Sequence, residues 1–387
     1  MSYSGEQRGT IRYDIIMIAV ILMLTLLGLV TLFSASYLFA LNQPGRFARG
    51  ITPLFGNIVA FGAMVFIFPI LALFDLDWLK KGWVVVSLVV VTLILNILPF
   101  FPPFKGDNAA MRWIIIKDGI GFQPSELIKI VLPLYLAYIL DKNNEKINSL
   151  FYGPLPPFVI TGIYCALVYK QSNFSDAIFI AMIGLLVCFI SGLRFRFFIL
   201  ALLLLLPFLY KVTYGNPDGI RYQRIQSYLS KDESPSYART QLDISEEAIK
   251  SGGFWGKGIG QGTWKVSVPE VHGDFVFASF VEESGFLGVL IYLILIGVFA
   301  FVGFTVAWQN KSRFIQFFTF GLITPIVIQT LMNIAVVARI IPTTGVPLPF
   351  ISSGGSSLLI TLAGSALLFN MTRRHVRSEA AGGQNAR

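Results

Sequence analysis

Residues 15–40 read IIMIAVILMLTLLGLVTLFSASYLFA, 26 residues with no Asp, Glu, Lys, Arg or His. As a helix rising about 1.5 Å per residue, this stretch exceeds the roughly 30 Å hydrocarbon core of a bilayer. Backbone N–H and C=O groups find no water there, so a single apolar segment crosses as a helix. It is too long for the apolar core of a secretion signal and no small-residue cleavage pattern follows it, so the helix is expected to stay in the mature chain.

Outward from this stretch the pattern recurs at Ile51 to Leu73, Trp83 to Phe101, Ser125 to Leu140, Phe195 to Tyr210, Phe275 to Trp308, Phe314 to Val337 and Phe350 to Met371. Phe158 to Tyr169 and Asp176 to Ile190 are shorter. Tilt, extension into neighbouring residues and a re-entrant hairpin are all open for them, and none changes the parity of crossings. The chain is 55% hydrophobic and 13% charged, with a mean hydropathy of +0.70, where a soluble domain carries about 25% charge. These features predict an all-α, polytopic integral membrane protein of about ten transmembrane helices, with one large extracellular loop between helices 7 and 8.

Basic residues in short loops set orientation. With the N-terminus inside, the inner segments hold 14 Lys and Arg and the short outer loops hold 7. Both termini are therefore expected in the cytoplasm. The net charge of +9 is spread over loop ends, which reads as a topology signal and an attraction to anionic lipid, with no nucleic-acid stripe. Cys165 and Cys188 fall in apolar segments and read as small buried hydrophobes.

No internal repeat divides the chain, so residues 1–377 read as a single membrane domain and 378–387 as a disordered cytoplasmic tail. The one long hydrophilic interruption is the loop 214–273, which parity places outside; it holds seven basic and seven acidic residues and is neutral. Within it, Asp243 to Lys250 suits a short surface helix, and Ser251 to Gly262 (SGGFWGKGIGQG) is too rich in glycine to be regular.

The chemistry concentrates in Pro269 to Gly288, PEVHGDFVFASFVEESGFLG, where this loop meets a long apolar helix. Asp274 at the junction has two readings: an N-cap, worth about 1 kcal/mol, or a partly shielded carboxylate at the membrane surface able to act as a general base. Glu282 and Glu283 lie about two turns further on, where an ionised carboxylate needs a partner. Lys129 is the expected partner; it follows Glu126 by one turn on the helix opened by Gln123-Pro124-Ser125, and a purely structural Glu126–Lys129 pair is the alternative. Arg112 beside Trp113 suits an interfacial anchor or a phosphate-holding arginine. Ser356, in Leu348 to Ser357 (LPFISSGGSS), sits in a run of small residues that suits close helix packing or a phosphate cradle. His272 stands without neighbouring His or Cys, which argues against zinc.

Taken together these motifs resemble the SEDS (shape, elongation, division and sporulation) family, which groups the FtsW, RodA and SpoVE proteins. Asn108 to Trp113, then Gln123-Pro124-Ser125-Glu126 and Lys129, are similar to its N-G-A-x-R-W … Q-P-S-E-x-x-K signature, with Ala109 at the usual Gly. Ser251-Gly252-Gly253 and Pro269 to Ala278 with Glu282-Glu283 resemble S-G-G … P-E-x-H-T-D-F-I-F-A … E-E-x-G, with Gly273 at the usual Thr. Pro342 to Ser357 resembles P-x-T-G-x-x-L-P-F-x-S-Y-G-G-S-S, with Ser353 at the usual Tyr. Gln171 to Ser175 replaces Q-P-D-x-G-T, which removes the acid usual at that loop.

The resemblance implies a peptidoglycan glycosyltransferase of the cytoplasmic (inner) membrane that polymerises lipid II, the undecaprenyl-pyrophosphate-linked disaccharide peptide. Asp274 takes the place of the family's essential aspartate, with Lys129 and Arg112 supporting charge and Glu126, Glu282, Glu283, His272 and Ser356 binding or shaping the site. It also implies a class B penicillin-binding transpeptidase as partner, within a division or elongation complex. Ser34-Ala35-Ser36 and Asn108 look more like the division branch, FtsW, and Val346 to Phe350 also suits the elongation branch, RodA. No cofactor is certain; a divalent cation, Mg or Mn, could neutralise the pyrophosphate, and the sequence holds no dedicated cage for it. A lipid II flippase and a scaffold without chemistry are the competing functions.

Overall fold

A computed structural model describes residues 12–42, 47–101, 112–117, 120–215, 222, 237–264 and 273–385. Among these residues lie eleven α-helices: α1 Tyr13–Asn42, α2 Phe47–Leu73, α3 Gly82–Ile97, α4 Ser125–Lys142, α5 Leu155–Lys170, α6 Phe174–Ile190, α7 Phe195–Tyr214, α8 Tyr237–Gly252, α9 Val276–Gln309, α10 Arg313–Val337 and α11 Gly355–Asn385. Ten of them coincide with the apolar stretches of the sequence. The other, α8, lies in the long loop and extends the surface helix expected at Asp243 to Lys250 by a turn or more at its N-terminal end.

By length and apolarity alone, α1, α9 and α10, with the apolar parts of α2, α3 and α11, suffice to cross a membrane. Helices α5 and α6, of 16 and 17 residues, are shorter apolar helices. They pack side by side and are joined by a tight turn at Ser172. Helix α4 carries Glu126 and Lys129 and buries both.

The bundle is layered by burial. In the apolar windows of α10 and α11, 67% and 78% of residues are buried, against 22% and 28% in α2 and α3. The first two therefore form the protein-facing centre and the others the lipid-facing rim. Helix α10 reaches its depth by backbone approach to α4: a Cβ on Gly321 would lie 2.5 Å from the Cβ of Pro133, so only glycine allows this crossing. Leu202 to Leu206 on α7 are exposed, as an apolar face turned to lipid requires.

Two features depart from the sequence reading. Residues Ile114–Lys117 and Ile120–Phe122 pair as a short antiparallel hairpin, with Ile114 opposite Phe122. This β-branched stretch was too short to register as structure. Helix α11 runs on to Asn385, past residue 378, where the tail was expected to begin. Once a helix is nucleated each added residue costs little, and Ser378-Glu379-Ala380-Ala381 contains good helix formers.

Candidate active site

The N-terminal ends of α4, α6, α9 and α11 and the C-terminal end of α10 gather at one face of the bundle, and the residues singled out in the sequence gather there in two groups. The first surrounds Asp274. The N-cap position of α9 is Phe275, whose side chain makes no capping hydrogen bond, and Asp274 stands one residue before it. Its backbone is clamped: Asn333 Nδ2 on α10 donates to Asp274 O at 2.8 Å and to Val346 O at 2.8 Å. Ser352 Oγ donates to Gly273 O at 2.9 Å and accepts from Leu348 N at 2.6 Å. The Asp274 carboxylate is half-buried and points toward the α10–α11 connection, where a Cβ on Gly345 would come within 3.3 Å of Oδ2.

Glu282 and Glu283 are buried one behind the other on α9, and neither pairs with Lys129. Glu282 Oε1 accepts from Lys257 Nζ at 2.8 Å, Thr263 N at 2.7 Å and Trp264 N at 3.1 Å. Glu283 Oε1 accepts from Ser34 Oγ on α1 at 2.7 Å and from Gly260 N at 3.2 Å. The acids thus fasten the glycine-rich segment 253–264 onto the helix. That segment also satisfies a break in α9 at Gly285 (φ 63°). Lys257 N and Gly258 N donate to Glu282 O and Glu283 O, each at 3.0 Å, while Phe286 N and Leu287 N donate back to Gly253 O and Phe254 O at 3.0 and 3.2 Å. Opened helix backbone at membrane depth needs such partners. A Cβ at Gly285 would sit 2.2 Å from Gly256 N, and one at Gly256 2.1 Å from Glu283 O, so this seam accepts only glycine at both positions.

The second group lies on α4, α6 and the hairpin. Lys129 Nζ pairs with both oxygens of Glu126 at 2.8 Å, which corrects the expected Lys129 pairing with Glu282 or Glu283. Next to Gln171 to Ser175, the first turn of α6 carries a buried acid, Asp176. It accepts from Gln123 Nε2 at 3.2 Å and from Asn173 Nδ2, within electrostatic range of Lys129, Glu126 and Arg112. Arg112 is half-buried, makes no ion pair among the described residues, and has a buried Nε without a partner. Ser356 Oγ donates to Gly121 O and accepts from Gln123 N, both at 3.2 Å, so it ties the hairpin to α11.

Ser352 touches the first group and Ser356 the second. Four residues apart, their Cα atoms are separated by at most about 14 Å, so both groups border one polar region at the same face. His272, together with Asn108 and Ala109, lies outside the described residues. Above this region, Arg339 at the end of α10 donates to Asp243 Oδ1 at 2.9 Å and Glu246 Oε2 at 2.8 Å, holding α8. Lys250 first, then Arg339, keep the Glu246 carboxyl below its usual range.

A family model described as cell cycle protein, spanning FtsW, RodA and SpoVE, matches residues 14–377. The chain belongs to the SEDS family. Among its SEDS relatives is a probable peptidoglycan glycosyltransferase FtsW of Geobacter metallireducens, 34% identical over 370 residues, covering 94% of this chain and 95% of that protein. The corresponding Bacillus subtilis protein is 32% identical over 93% of this chain and 90% of its own length. Stage V sporulation protein E of the same organism is 30% identical over 93% and 97%. Among solved SEDS structures, a chain from a study of polymerisation and crosslinking by a peptidoglycan synthase complex superposes with a TM-score of 0.76 at 25% identity, covering 93% of this chain and 97% of that one. The Thermus thermophilus rod shape determining protein RodA shares the fold, with a TM-score of 0.66 at 24% identity over 93% and 96%.

Asn333, Asp176, Lys257 and Gly285 were missed in the sequence. A polar amide in the apolar run of α10 was the available signal for Asn333. For Asp176 it was a carboxylate one turn from a Gln-Ser-Asn turn. Nothing local marked Lys257 as the partner of Glu282.

Proposed function

We propose that this SEDS protein is a peptidoglycan glycosyltransferase of the FtsW type, polymerising lipid II at the outer face of the cytoplasmic membrane during septal wall synthesis, with both termini in the cytoplasm. The observation that carries this reading is the Asp274 carboxylate. It stands one residue before the N-cap of α9, half-buried, and its backbone is immobilised by Asn333 and, through Gly273, by Ser352.

Chain growth needs a base on the acceptor sugar's 4-hydroxyl and positive charge at the departing pyrophosphate. In the proposed step Asp274 takes the hydroxyl proton as the oxygen attacks the donor's anomeric carbon. The carbon–oxygen bond to undecaprenyl pyrophosphate breaks, and that group leaves with its electron pair and inverted stereochemistry at the sugar. Arg112 carries the charge role better than Lys129, since Lys129 is neutralised by Glu126 at 2.8 Å. Glu126 holds Lys129, and Asp176 lies within electrostatic range of both Lys129 and Arg112 at the rim of the site. Among the described residues no group of three or more His, Cys, Asp and Glu forms a metal cage; a divalent cation, Mg or Mn, would be shared by Asp274 and the substrate's own phosphates.

Similarity to a chain of a synthase complex supports a class B penicillin-binding transpeptidase as partner, with the outer loop as a contact surface. The flippase reading loses support because Glu282 and Glu283, the acids deepest on α9, are occupied by loop and α1 donors. The test is incubation of the reconstituted protein and its cognate transpeptidase with purified lipid II. Glycan polymer is the expected product; movement of labelled lipid II across the bilayer without polymer would overturn the proposal in favour of transport.

A further inference from the structure

The opposite end of the bundle holds a feature that glycan synthesis does not use. A cavity of about 520 Å³ opens between the turn Leu76–Lys80 after α2, the α9–α10 connection and the last turns of α11. Its polar lining includes Lys80, Lys311, Arg374, Asn310, Ser312 and one acid, Asp77, and Leu76, Ile315 and Met371 form its apolar wall. The elements are fixed to one another. Arg374 donates to Asp75 at 2.8 Å and to Phe74 O at 3.2 Å, Asn370 donates to Leu71 O and Phe74 O at 2.9 and 2.7 Å, and His375 bonds Gln309 at 3.1 Å.

Charge around the cavity is unbalanced. Asp77 pairs with Lys80 and Asp75 with Arg374, while Lys311, Arg313 and Arg377 make no ion pair among the described residues. Arg373, Arg374 and Arg377 crowd little more than one turn of α11. The depth is marked by exposed tryptophans, Trp78, Trp83 and Trp308, the side chains that settle at lipid headgroup level. Topology alone explains basic residues at this end, but not their convergence from three elements on one cavity that pairs cations and hydrogen-bond donors with an apolar wall.

We infer that this cavity is a binding site for one anionic phospholipid of the cytoplasmic leaflet. Its phosphate ester lies against Lys311, Arg374 and Ser312, and its acyl chains lie along the Ile315 and Met371 wall. The assignment rests on the cytoplasmic position of this end and not on the chemistry at Asp274, so it survives or fails independently of the glycosyltransferase reading.

The test is native mass spectrometry of the full-length protein titrated with phosphatidylglycerol or phosphatidylcholine. Phosphatidylglycerol is expected to bind at one site per chain in preference to phosphatidylcholine, and Lys311→Glu to weaken it roughly tenfold or more with an unchanged melting temperature. Lys311 is exposed and makes no ion pair, so the variant should fold. Lys142→Glu, at the same end on α4 and away from the cavity, should leave binding within about twofold. Equal loss in the two variants, or no preference for the anionic lipid, would overturn the site as general surface attraction. Displacement of bound lipid by millimolar inorganic phosphate would overturn the lipid assignment and identify free phosphate as the ligand.

Discussion

Replacing Glu282 with alanine should release the segment 253–264 from α9 without unfolding the bundle. The carboxylate is fully buried and its Oε1 receives Lys257 Nζ at 2.8 Å, Thr263 N at 2.7 Å and Trp264 N at 3.1 Å. Breaking a buried ion pair by removing one partner costs roughly 3–5 kcal/mol. Lys257 is 29% exposed and can turn to water, which favours the lower end. About 3 kcal/mol is roughly a hundredfold or more in the opening equilibrium. Hydrogen exchange read by mass spectrometry should show amides of 257–264 exchanging about that much faster, while α10, buried and distant from the seam, keeps its protection. Glu282→Gln retains an acceptor but not the charge and should fall between wild type and alanine. Unchanged exchange of 257–264 in a folded Glu282→Ala protein would refute the role of this carboxylate as the fastener of the loop.

Other outcomes follow from the same geometry. Ser34→Ala removes the hydroxyl that donates to Glu283 at 2.7 Å; a hydrogen bond to a charged group contributes about 1.5–3 kcal/mol, so the melting temperature should drop, and an unchanged value would mean that Glu283 finds an equal donor. Asp176→Asn unbalances the Arg112–Lys129–Glu126 group and should lower glycan synthesis at least tenfold with the fold intact; wild-type rates would remove Asp176 from the site. The Glu246 carboxyl is held below its usual range by Lys250 and Arg339. The α8 contact is therefore fully present above about pH 4.5 and lost as pH falls through the lowered value. For an exposed pair the effect is under about 1 kcal/mol, and protease cleavage within α8 should rise below pH 4.5 in wild type but be insensitive to that range in Glu246→Gln.

The membrane architecture was legible because apolar length is a one-dimensional signal: the run from Ile15 to Ala40 has no other stable solution in a bilayer. Asp274 was legible as a candidate because it stands where a polar loop meets a long apolar helix, a place that suits a helix cap and a shielded base equally; that Phe275 takes the N-cap position could be read only from the backbone. The pairing of Glu282 with Lys257, instead of Lys129, was not readable. The two are 25 positions apart and meet only because the glycines at 252, 256 and 285 let the loop backbone lie against an opened helix. Asp176 was passed over for a related reason, since its place beside Gln123 depends on α4 and α6 starting at the same face. The helical tail beyond Arg377 shows polarity overruled by propagation from an existing helix.

The most direct measurement is glycan polymerisation from purified lipid II by wild type and Asp274→Asn, each reconstituted with the cognate transpeptidase and matched for amount and melting temperature. Loss of a general base predicts a rate lower by about 10²–10⁴, with wild type forming polymer and the variant essentially none. Equal polymer from both proteins would contradict the assignment of catalysis to Asp274.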